Sequence, residues 1–324
     1  MRILRIVLLG ALGMVAVLGA LLFWFVYTPL PPAPKLSGTL AHGSIAVGGR
    51  TRTYLLYVPK RLSKRPALVM VLHGSGEDAA QMRLATGYGF ERLADAKGFA
   101  VVYPNGYEGY WNACNLVGDY AANTLNIDDV GFLNALAAKL EAQLGVEPAK
   151  VFAVGLSRGA AMTMRLALES PRTFRAVAAV SDSLPTPDNF KCKPKAGGTA
   201  SILIMNGTAD PIVPFDGGEV NLFGIFLKRG TVLSTRASGE YFAQRNGIAG
   251  APVVHETILN DGFGIAQTRW RGANGKDVEV LAIEGGGHGL PQPYFRNPRL
   301  LGPTALSFDG PQAIWTFFAE QSPQ

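Results

Sequence analysis

The residues best suited to chemistry lie in the segment Gly155-Leu156-Ser157-Arg158-Gly159, which joins the apolar run Val151–Leu156 to a helix-forming stretch. A serine at a tight strand-to-helix turn is typical of a nucleophile elbow. Flanking glycines let the strained backbone pass its neighbours, and the helix N-terminus favours negative charge at the hydroxyl. The same pattern also arises by chance in glycine-rich turns. Ser157 is therefore a candidate nucleophile whose assignment depends on partner residues elsewhere in the chain.

A serine hydroxyl near neutral pH needs a base within hydrogen-bond reach and a carboxylate to orient that base. His288 lies in the glycine-rich segment Ile283–Pro291, just beyond the last apolar run. Asp210 lies in Ile202–Pro214, again after an apolar run and before prolines. The order Ser157, Asp210, His288 is the chain order of an α/β-hydrolase triad, so the sequence predicts these three as catalytic residues.

Other carboxylates compete with Asp210 for the role of the orienting acid. Asp182 in Val180-Ser-Asp-Ser follows the preceding predicted strand, and from there it could also reach a loop histidine. The pair Asp128-Asp129 precedes a helical pattern, where a carboxylate accepts hydrogen bonds from free backbone amides. We interpret that pair as helix caps and keep Asp182 as the alternative acid.

A tetrahedral oxyanion needs preorganised donors, which hydrolases of this kind take from the residue after the nucleophile and from a loop near the sheet. The expected oxyanion-hole donors are the backbone amides of Arg158 and of Ser75, in the turn His73-Gly74-Ser75-Gly76. His73 is interpreted as a structural side chain that supports this turn. Trp111, in a long loop, is a candidate substrate-binding residue that supplies an aromatic wall, with plain packing as the alternative.

Unbroken apolar runs alternate with helical patterns, which indicates a mostly parallel sheet with helices on both faces. The Gly48-Gly49 turn predicts an antiparallel edge hairpin, Thr39–Val58, and Val253–Trp270 predicts added antiparallel strands. The fold class is thus α/β, of the α/β-hydrolase type. The predicted central strands are Ala67–Leu72, Phe99–Tyr103, Val151–Leu156, Phe174–Val180, Ser201–Met205 and Val278–Ile283. The predicted helices are Ala79–Ala96, Asp129–Leu144, Gly159–Leu168, Ser234–Arg245 and Gln312–Glu320.

Two long irregular segments, Trp111–Asn126 and Pro211–Thr235, interrupt this alternation and are expected to border the binding site. The cysteines Cys114 and Cys192 form no C-x-x-C pair, and the 4 histidines lack metal-ligand spacing, so no metal is expected. The net charge is +6, but the basic residues are scattered, which argues against nucleic acid as a partner.

The N-terminus carries an uncharged apolar run, Ile6–Tyr27, after Arg2 and Arg5. This run is longer than a usual signal-peptide core, so residues 1–27 are predicted to be an uncleaved signal anchor, with a cleaved signal peptide as the alternative. Residues 28–38 read as a flexible proline-rich tether and residues 39–324 as the catalytic domain. Either alternative predicts a non-cytoplasmic protein, periplasmic or extracellular, in which the two cysteines could pair.

Several motifs occur together in the order found in one known family. They are Leu68–Gly76, Val101–Gly106, Trp111-Asn112, Ile127–Leu133, Gly155–Gly159, Asn206–Pro214 and Glu284–His288. In these motifs the chain resembles the polyhydroxybutyrate-depolymerase-like and feruloyl-esterase-like secreted esterases over about residues 40–320. The resemblance implies a serine carboxylesterase without a cofactor, with Ser157, Asp210 and His288 on the triad positions.

Two departures from that family bear on the substrate. Arg158 stands where the family often has Asn, and Gly287-His-Gly-Leu-Pro291 replaces the familiar Gly-His-Thr-Trp-Pro, which removes a rim aromatic. The expected function is hydrolysis of a small or oligomeric ester, of the polyhydroxyalkanoate or hydroxycinnamoyl (feruloyl) type, through an acyl-enzyme. A peptidase or amidase on the same fold and a catalytically silent, membrane-tethered binding module are the alternatives.

Overall fold

A ten-stranded mixed β-sheet forms the centre of the protein in the computed structural model, which describes residues 2–194, 197–221, 228–273 and 275–322. The strands are β1 (Thr39–Val47), β2 (Arg50–Val58), β3 (Leu68–Leu72), β4 (Ala100–Pro104), β5 (Val151–Leu156), β6 (Ala176–Val180), β7 (Ser201–Gly207), β8 (Gly218–Glu219), β9 (Thr231–Val232), β10 (Val253–Ile258), β11 (Gly264–Trp270) and β12 (Val278–Glu284). The spatial order is β1-β2-β4-β3-β5-β6-β7-β12-β11-β10, and β8 pairs with β9 in a separate small sheet.

The six neighbouring strands from β4 to β12 are mutually parallel, and the outer strands on both sides are antiparallel. This arrangement confirms the predicted parallel sheet, its antiparallel edge hairpin and the added strands within Val253–Trp270. Parallel strands end at the same edge of a sheet, so the loops that follow β3, β5, β6, β7 and β12 converge there.

Helices cover both faces of the sheet. In chain order the helices of the described residues are α1 (Arg2–Val26), which lies outside the sheet, α2 (Ala79–Ala85), α3 (Gly89–Lys97), α4 (Ala121–Thr124), α5 (Asp129–Leu144), α6 (Arg158–Glu169), α7 (Thr235–Arg245) and α8 (Gly310–Glu320), and a short 3₁₀ turn covers Arg299–Leu301. Side chains alternate across each strand, so Met70 of β3 belongs to the core that contains residues of α5, α6 and α7, whereas Val69 belongs to the core that contains residues of α2, α3 and α8. Two apolar cores, one on each face, hold the sheet rigid beneath its loops.

The single helix predicted over Ala79–Ala96 is wrong, because the structure divides this stretch into α2 and α3. Gly87 has φ 57° and Tyr88 has φ 58°, a left-handed conformation that a continuous helix cannot contain. A glycine in a helical pattern marks this kind of break. Here Gly87 lies two residues after Ala85, the last residue of α2. The predicted helices α5 and α6 are confirmed to within one residue.

The capping prediction holds for Asp128 and is wrong for Asp129. Oδ1 of Asp128 accepts a hydrogen bond from the backbone N–H of Gly131 (2.8 Å), as an N-cap should. The Asp129 carboxylate is buried, lies 2.7 Å from Nη2 of Arg52 and accepts from the backbone N–H of Asn112. Asp129 therefore forms an ion pair that fastens the start of the 111–126 loop to β2.

A disulfide joins Cys114 to Cys192, as the oxidising compartment predicted from the N-terminus would allow, with their Cα atoms 4.9 Å apart. It holds the predicted Trp111–Asn126 loop, which contains α4, against the segment after β6. The second predicted loop, Pro211–Thr235, contains β8 and β9, and residues 222–227 of that prediction lie outside the described residues.

The N-terminal helix α1 projects from the rest of the chain, and its apolar part, Arg5–Val26, has exposed side chains and is long enough to cross a membrane. The following residues contact the catalytic domain instead of hanging free. Thr28 Oγ1 donates to the carbonyl of Arg296 (2.6 Å), and the backbone N–H and the hydroxyl of Ser37 donate to the Asp95 carboxylate (2.7 Å each). The proline-rich segment is therefore held at both ends.

Candidate active site

Ser157 occupies the sharp turn between β5 and α6. Its φ of 53° and ψ of −117° are rare for a residue other than glycine, and such strain is typical of functional sites. The turn is held from both sides, because the Ser157 N–H donates to the carbonyl of Val180 (2.8 Å) and its carbonyl accepts from Ala160 (2.8 Å). This conformation places the Ser157 side chain at the N-terminus of α6, at the edge where the parallel strands end.

The two glycines of the elbow leave no room for a side chain. A Cβ on Gly155 would overlap the carbonyl carbon of Gly159, and a Cβ on Gly159 would overlap the carbonyl oxygen of Leu72. The helix α6 therefore approaches β3 and β5 more closely than any larger residue would permit. The glycines are required by backbone packing, as the elbow motif predicts.

His288 and Asp210 meet at the same edge of the sheet, in the loops after β12 and β7. Nδ1 of His288 lies 2.7 Å from Oδ2 of Asp210, and both side chains are almost fully buried. The other carboxylate oxygen, Oδ1 of Asp210, accepts from the backbone N–H groups of Ile212 (2.8 Å) and Val213 (2.9 Å). Both oxygens of Asp210 are thus engaged, which fixes the imidazole that one of them contacts.

Asp182, the alternative acid, lies near this pair but has different partners. Oδ1 of Asp182 accepts from the backbone N–H of Ser183 (2.8 Å), and no hydrogen bond joins Asp182 to His288 within the described ranges. Burial raises the pKa of Asp182 to about 7, although the Ser183 amide and the charges of Arg158 and His288 oppose the shift. The geometry therefore favours Asp210 as the partner of the histidine.

The environment of His288 prepares it to hold a proton. Burial lowers the pKa of the imidazole, but the charge of Asp210 and its hydrogen bond raise it, and the net pKa lies above the ordinary value of 6.5. An imidazolium formed at this position is stabilised by the adjacent carboxylate, which is the property required of a general base during nucleophilic attack.

A cavity of about 440 Å³ adjoins this edge of the sheet. Ser157, His288, Ser75 and Arg158 all line it, so the structure brings four of the six predicted site residues to one space. Asp210 lies behind His288. The apolar part of the lining includes Leu30, Leu84, Ile212, Val213, Val220, Phe295 and Leu301.

The two predicted oxyanion donors are available at this cavity. In the turn after β3, the N–H of Gly74 donates to Glu77 Oε2 (2.9 Å) and the N–H of Gly76 donates to the carbonyl of Gly109 (2.9 Å). Within the described residues, the backbone N–H groups of Ser75 and Arg158 donate to no protein acceptor. Both residues line the same cavity as Ser157, where a substrate oxygen could accept from them.

The histidine in this turn, His73, supports it as interpreted from the sequence. Nε2 of the buried ring accepts from the N–H of Gly106 (2.9 Å), and Nδ1 lies 2.7 Å from the carbonyl of Gly74, a pattern that assigns the proton to Nδ1. Burial lowers the pKa of His73 to about 4. The ring is therefore neutral at ordinary pH, and because Gly106 occupies the only lone pair on its nitrogens, it is not placed to serve as a second base for Ser157.

Trp111 is fully buried and is absent from the cavity lining. Its indole Nε1 donates to the carbonyl of His73 (3.0 Å), and its ring lies against the His73 ring at 5.0 Å. This geometry favours packing, the second of the two roles considered for Trp111, because an aromatic wall for a substrate would have to face the cavity.

Two charged side chains at the cavity had no role predicted from the sequence. The guanidinium of Arg158 is buried, donates to the carbonyl of Trp111 (3.0 Å) and to Oδ1 of Asn115 (2.7 Å), and stacks on Tyr120. Glu77 accepts from the turn that carries Ser75, and burial raises the pKa of its carboxyl. Neither role leaves a local signal in the sequence, although Arg158 stood out as a departure from the family.

Among the described residues no group of three or more His, Cys, Asp or Glu side chains is placed to hold a metal ion. The residues at the cavity are instead suited to nucleophilic attack on a carbonyl. They comprise a hydroxyl on a strained elbow, a buried imidazole with a carboxylate partner, and two free backbone donors.

Comparison with known proteins gives relatives that span most of the chain. A family profile described as Esterase PHB depolymerase matches residues 52–186. The putative esterase NocK of Nocardia uniformis subsp. tsuyamanensis is 31% identical over 302 residues, which cover 86% of this chain and 82% of that protein. Feruloyl esterase C of Emericella nidulans is 31% identical over 260 residues, which cover 76% of this chain and 88% of that protein.

The fold is shared with a solved esterase. An acetyl xylan esterase from Aspergillus awamori superposes with a TM-score of 0.59 at 16% identity, and the match covers 87% of this chain and all of that one. These similarities confirm the α/β-hydrolase fold and the family expected from the motifs. The chain therefore belongs to the polyhydroxybutyrate-depolymerase-like esterase family and is a carboxylic ester hydrolase.

Proposed function

We propose that the protein cleaves esters through a catalytic triad of Ser157, His288 and Asp210 and a covalent acyl-enzyme. The observation that carries the proposal is the 2.7 Å contact between His288 Nδ1 and Asp210 Oδ2, at a cavity that Ser157 lines from a strained elbow. Residues from three separate loops supply a nucleophile, a base and an orienting acid, which is the division of labour that serine hydrolases need.

In the first half of the reaction, Nε2 of His288 accepts the hydroxyl proton as the Ser157 oxygen attacks the ester carbonyl. The carbonyl oxygen becomes an oxyanion, and the backbone N–H groups of Arg158 and Ser75 stabilise its charge. Asp210 stays ionised and holds the imidazolium in the required orientation. The imidazolium then donates its proton to the departing alkoxide, so the alcohol leaves and an acyl-serine remains.

The second half follows the same path with water in place of the serine hydroxyl. His288 accepts a proton from water, the resulting hydroxide attacks the acyl carbonyl, and the same two backbone donors stabilise the second oxyanion. Return of the proton from His288 to the Ser157 oxygen releases the carboxylic acid and restores the enzyme. No cofactor enters this sequence of steps.

The proposed substrates are polyhydroxyalkanoate-type oligomers or hydroxycinnamoyl esters. Relatives described as feruloyl esterases and the polyhydroxybutyrate-depolymerase profile support these two classes. The mostly apolar lining of the cavity suits an apolar acyl group. With Trp111 packed beneath the surface, recognition depends on aliphatic residues such as Leu84 and Ile212.

We also propose that α1 remains as a signal anchor, with the catalytic domain, residues 39–324, held at the non-cytoplasmic face of a membrane through residues 28–38. The support is the exposed apolar helix, which fits a bilayer better than water. The disulfide between Cys114 and Cys192 agrees with an oxidising compartment.

Hydrolysis of p-nitrophenyl acetate by the wild type and by Ser157→Ala tests the catalytic assignment. We expect the substitution to lower kcat by at least about 10³-fold, because the acyl-enzyme can no longer form. A fluorophosphonate probe should label the wild type at Ser157 and leave the variant unlabelled. Equal activity of the two proteins would refute the assignment of Ser157 as the nucleophile. A wild type that shows neither activity nor labelling would instead support a catalytically silent binding module. Matched ester and amide substrates distinguish an esterase from an amidase.

A further inference from the structure

The apolar helix α1 ends at the rim of the catalytic cavity. Its last residue is Val26, and Leu30, four residues later, lines the cavity while remaining 70% exposed. A lining residue this exposed marks the entrance. Because four residues of extended chain span at most about 14 Å, the entrance lies within that distance of the helix end.

Specific contacts fix the end of the helix to the cavity wall. The guanidinium of Arg299 stacks on the Trp24 ring at 3.9 Å, and its Nη1 donates to the Trp24 carbonyl (3.1 Å). These contacts join the last turn of α1 to the 3₁₀ turn Arg299–Leu301. The hydrogen bond from Thr28 Oγ1 to the Arg296 carbonyl (2.6 Å) adds a second attachment. The helix end therefore has a defined position beside the 295–301 segment.

Other residues of the same segment, but not Arg299, line the catalytic cavity. Phe295, Pro298 and Leu301 line the cavity, and the carbonyl of Leu301 accepts the backbone N–H of His288 (2.6 Å). One short stretch of chain therefore contacts the membrane-spanning helix on one side and the proposed catalytic base on the other. The position of the membrane relative to the cavity follows from this arrangement.

We propose that the cavity entrance faces the membrane surface and that the enzyme takes amphiphilic, long-chain esters directly from the bilayer. This inference depends on the proposed function and on retention of α1. Trp24 and Tyr27, at the end of the apolar helix, match the interfacial position that such aromatics prefer. With them at the interface, Arg299 lies at the level of the lipid headgroups and the exposed Leu30 leads from the apolar phase into the cavity.

The chemistry of the rim agrees with this partner. Transfer of a long acyl chain from a bilayer into water costs about 0.8 kcal/mol of free energy per methylene. Transfer along an apolar entrance avoids this cost. Leu30, Leu84 and Phe295 provide apolar surface in the cavity lining. An ester carried by a lipid-like molecule would therefore reach Ser157 without full exposure to water, whereas a small soluble ester needs no such route.

The test uses the full-length protein in phosphatidylcholine vesicles and two p-nitrophenyl esters, the soluble acetate and the bilayer-dissolved palmitate. One variant combines Arg299→Gln with an insertion of about 20 Gly/Ser residues between Tyr27 and Thr28, which removes the attachment to Trp24 and frees the domain to move roughly 25 Å from the helix end. A second, Arg299→Gln, removes the stacking on Trp24. Arg172→Gln, an equal loss of charge on an exposed residue at the far end of α6 from Ser157, is the matched control.

We expect the insertion to lower kcat/KM for the palmitate by at least about tenfold, with Arg299→Gln between it and the control, while the acetate value changes by less than about twofold. Equal acetate-to-palmitate ratios in all four proteins would overturn the inference and leave the proposed esterase intact. Recovery of the wild type without residues 1–27 would also overturn it. Loss of acetate hydrolysis in the wild type would instead refute the proposed function, and the inference with it.

Discussion

Oδ2 of Asp210 lies 2.7 Å from Nδ1 of His288, whereas Asp182, one strand away, directs its carboxylate to the backbone N–H of Ser183. Both carboxylates follow parallel strands and reach the same edge of the sheet. Only Asp210 is placed to orient the imidazole. Asp182 lines the cavity and acts on the histidine through its charge alone.

Replacement of the two acids by amides should therefore give unequal losses. Asp210→Asn is expected to lower kcat for p-nitrophenyl acetate by about 10⁴-fold, because the amide cannot hold the same tautomer or stabilise the imidazolium. Asp182→Asn is the matched control, and its loss should stay below about tenfold. Steady-state kinetics on both variants provide the measurement, and a larger loss in the control would transfer the role of the acid to Asp182.

The pH dependence of activity should report the environment of His288. Only the neutral imidazole can accept the serine proton, so kcat/KM rises as the pH rises through the pKa of this residue. Burial lowers the pKa of His288, but Asp210 together with the charges of Asp182 and Glu77 holds it above 6.5, so the midpoint of the acid limb should lie above 6.5. In Asp210→Asn the burial of His288 remains, but the carboxylate charge that raises its pKa is gone. The midpoint of the acid limb of the residual activity should therefore lie at a lower pH than in the wild type.

The control for this profile is Asp182→Asn. The Asp182 charge also raises the pKa of His288, but less than Asp210 does, so the midpoint should move in the same direction by a smaller amount. A wild-type midpoint at or below 6.5, measured with a soluble ester over the acid range, would contradict the assignment.

Much of the site was predictable because its signals are local. Apolar runs identify the parallel strands, and the geometry of a parallel sheet then brings the residues after those strands to one edge. The order of Ser157, Asp210 and His288 along the chain, together with the glycine spacing at the elbow, was enough to nominate them as candidates. It left Asp182 open as the alternative acid, and only the contacts within the fold distinguish the two carboxylates.

What the sequence did not reveal depends on contacts between distant segments. Asp129 resembled a helix cap, but Arg52, 77 residues earlier, captures its carboxylate within the fold. The burial of Trp111 and the hydrogen bonds of the Arg158 side chain arise in the same way, from how the 111–126 loop folds over the elbow. The attachment of Arg299 to Trp24 joins the two ends of the chain, and no local pattern encodes it.

The elbow glycines offer a test of the close packing between α6 and the sheet. Gly159→Ala should lower the free energy of unfolding by at least about 3 kcal/mol, since the added methyl overlaps the backbone of Leu72. Gly250→Ala is the control, because a Cβ there meets no atom within 4 Å and should change stability by less than about 0.5 kcal/mol. Urea denaturation gives both values, and similar stabilities for the two variants would contradict the packing argument.

His73 should make the fold sensitive to acid. Its pKa is about 4 in the folded state and about 6.5 when unfolded, so the unfolded chain binds a proton first as the pH falls. Stability is fully present above the unfolded value and is lost as the pH falls toward the folded one. Between about pH 7 and about pH 5 the loss from this residue should approach about 2 kcal/mol.

Comparison of the wild type with His73→Gln isolates this contribution. His288 acts in the opposite direction, because its raised folded pKa adds stability below 6.5 that is lost as the pH rises, but its effect is common to both proteins. The variant should be less stable at neutral pH and lose less on acidification. If urea midpoints fall equally in the two proteins over this range, His73 is not the acid-sensitive group.

Reduction of the disulfide should weaken the fold and the site together. Cys114 and Cys192 are separated by 78 residues, and a cross-link closing a loop of that size stabilises a protein by about 4 kcal/mol in the chain-entropy description. Asn115, next to Cys114, accepts a hydrogen bond from Arg158 and lines the cavity, so ester hydrolysis should also fall once the bridge opens.

Both cysteines are buried, so the reductant has to be added during urea denaturation. The wild type should then lose about 4 kcal/mol of unfolding free energy, while a Cys114→Ala/Cys192→Ala variant should be unaffected by the reductant and start from the lower value. If the reductant does not change the unfolding free energy of the wild type, the bridge does not form in the protein.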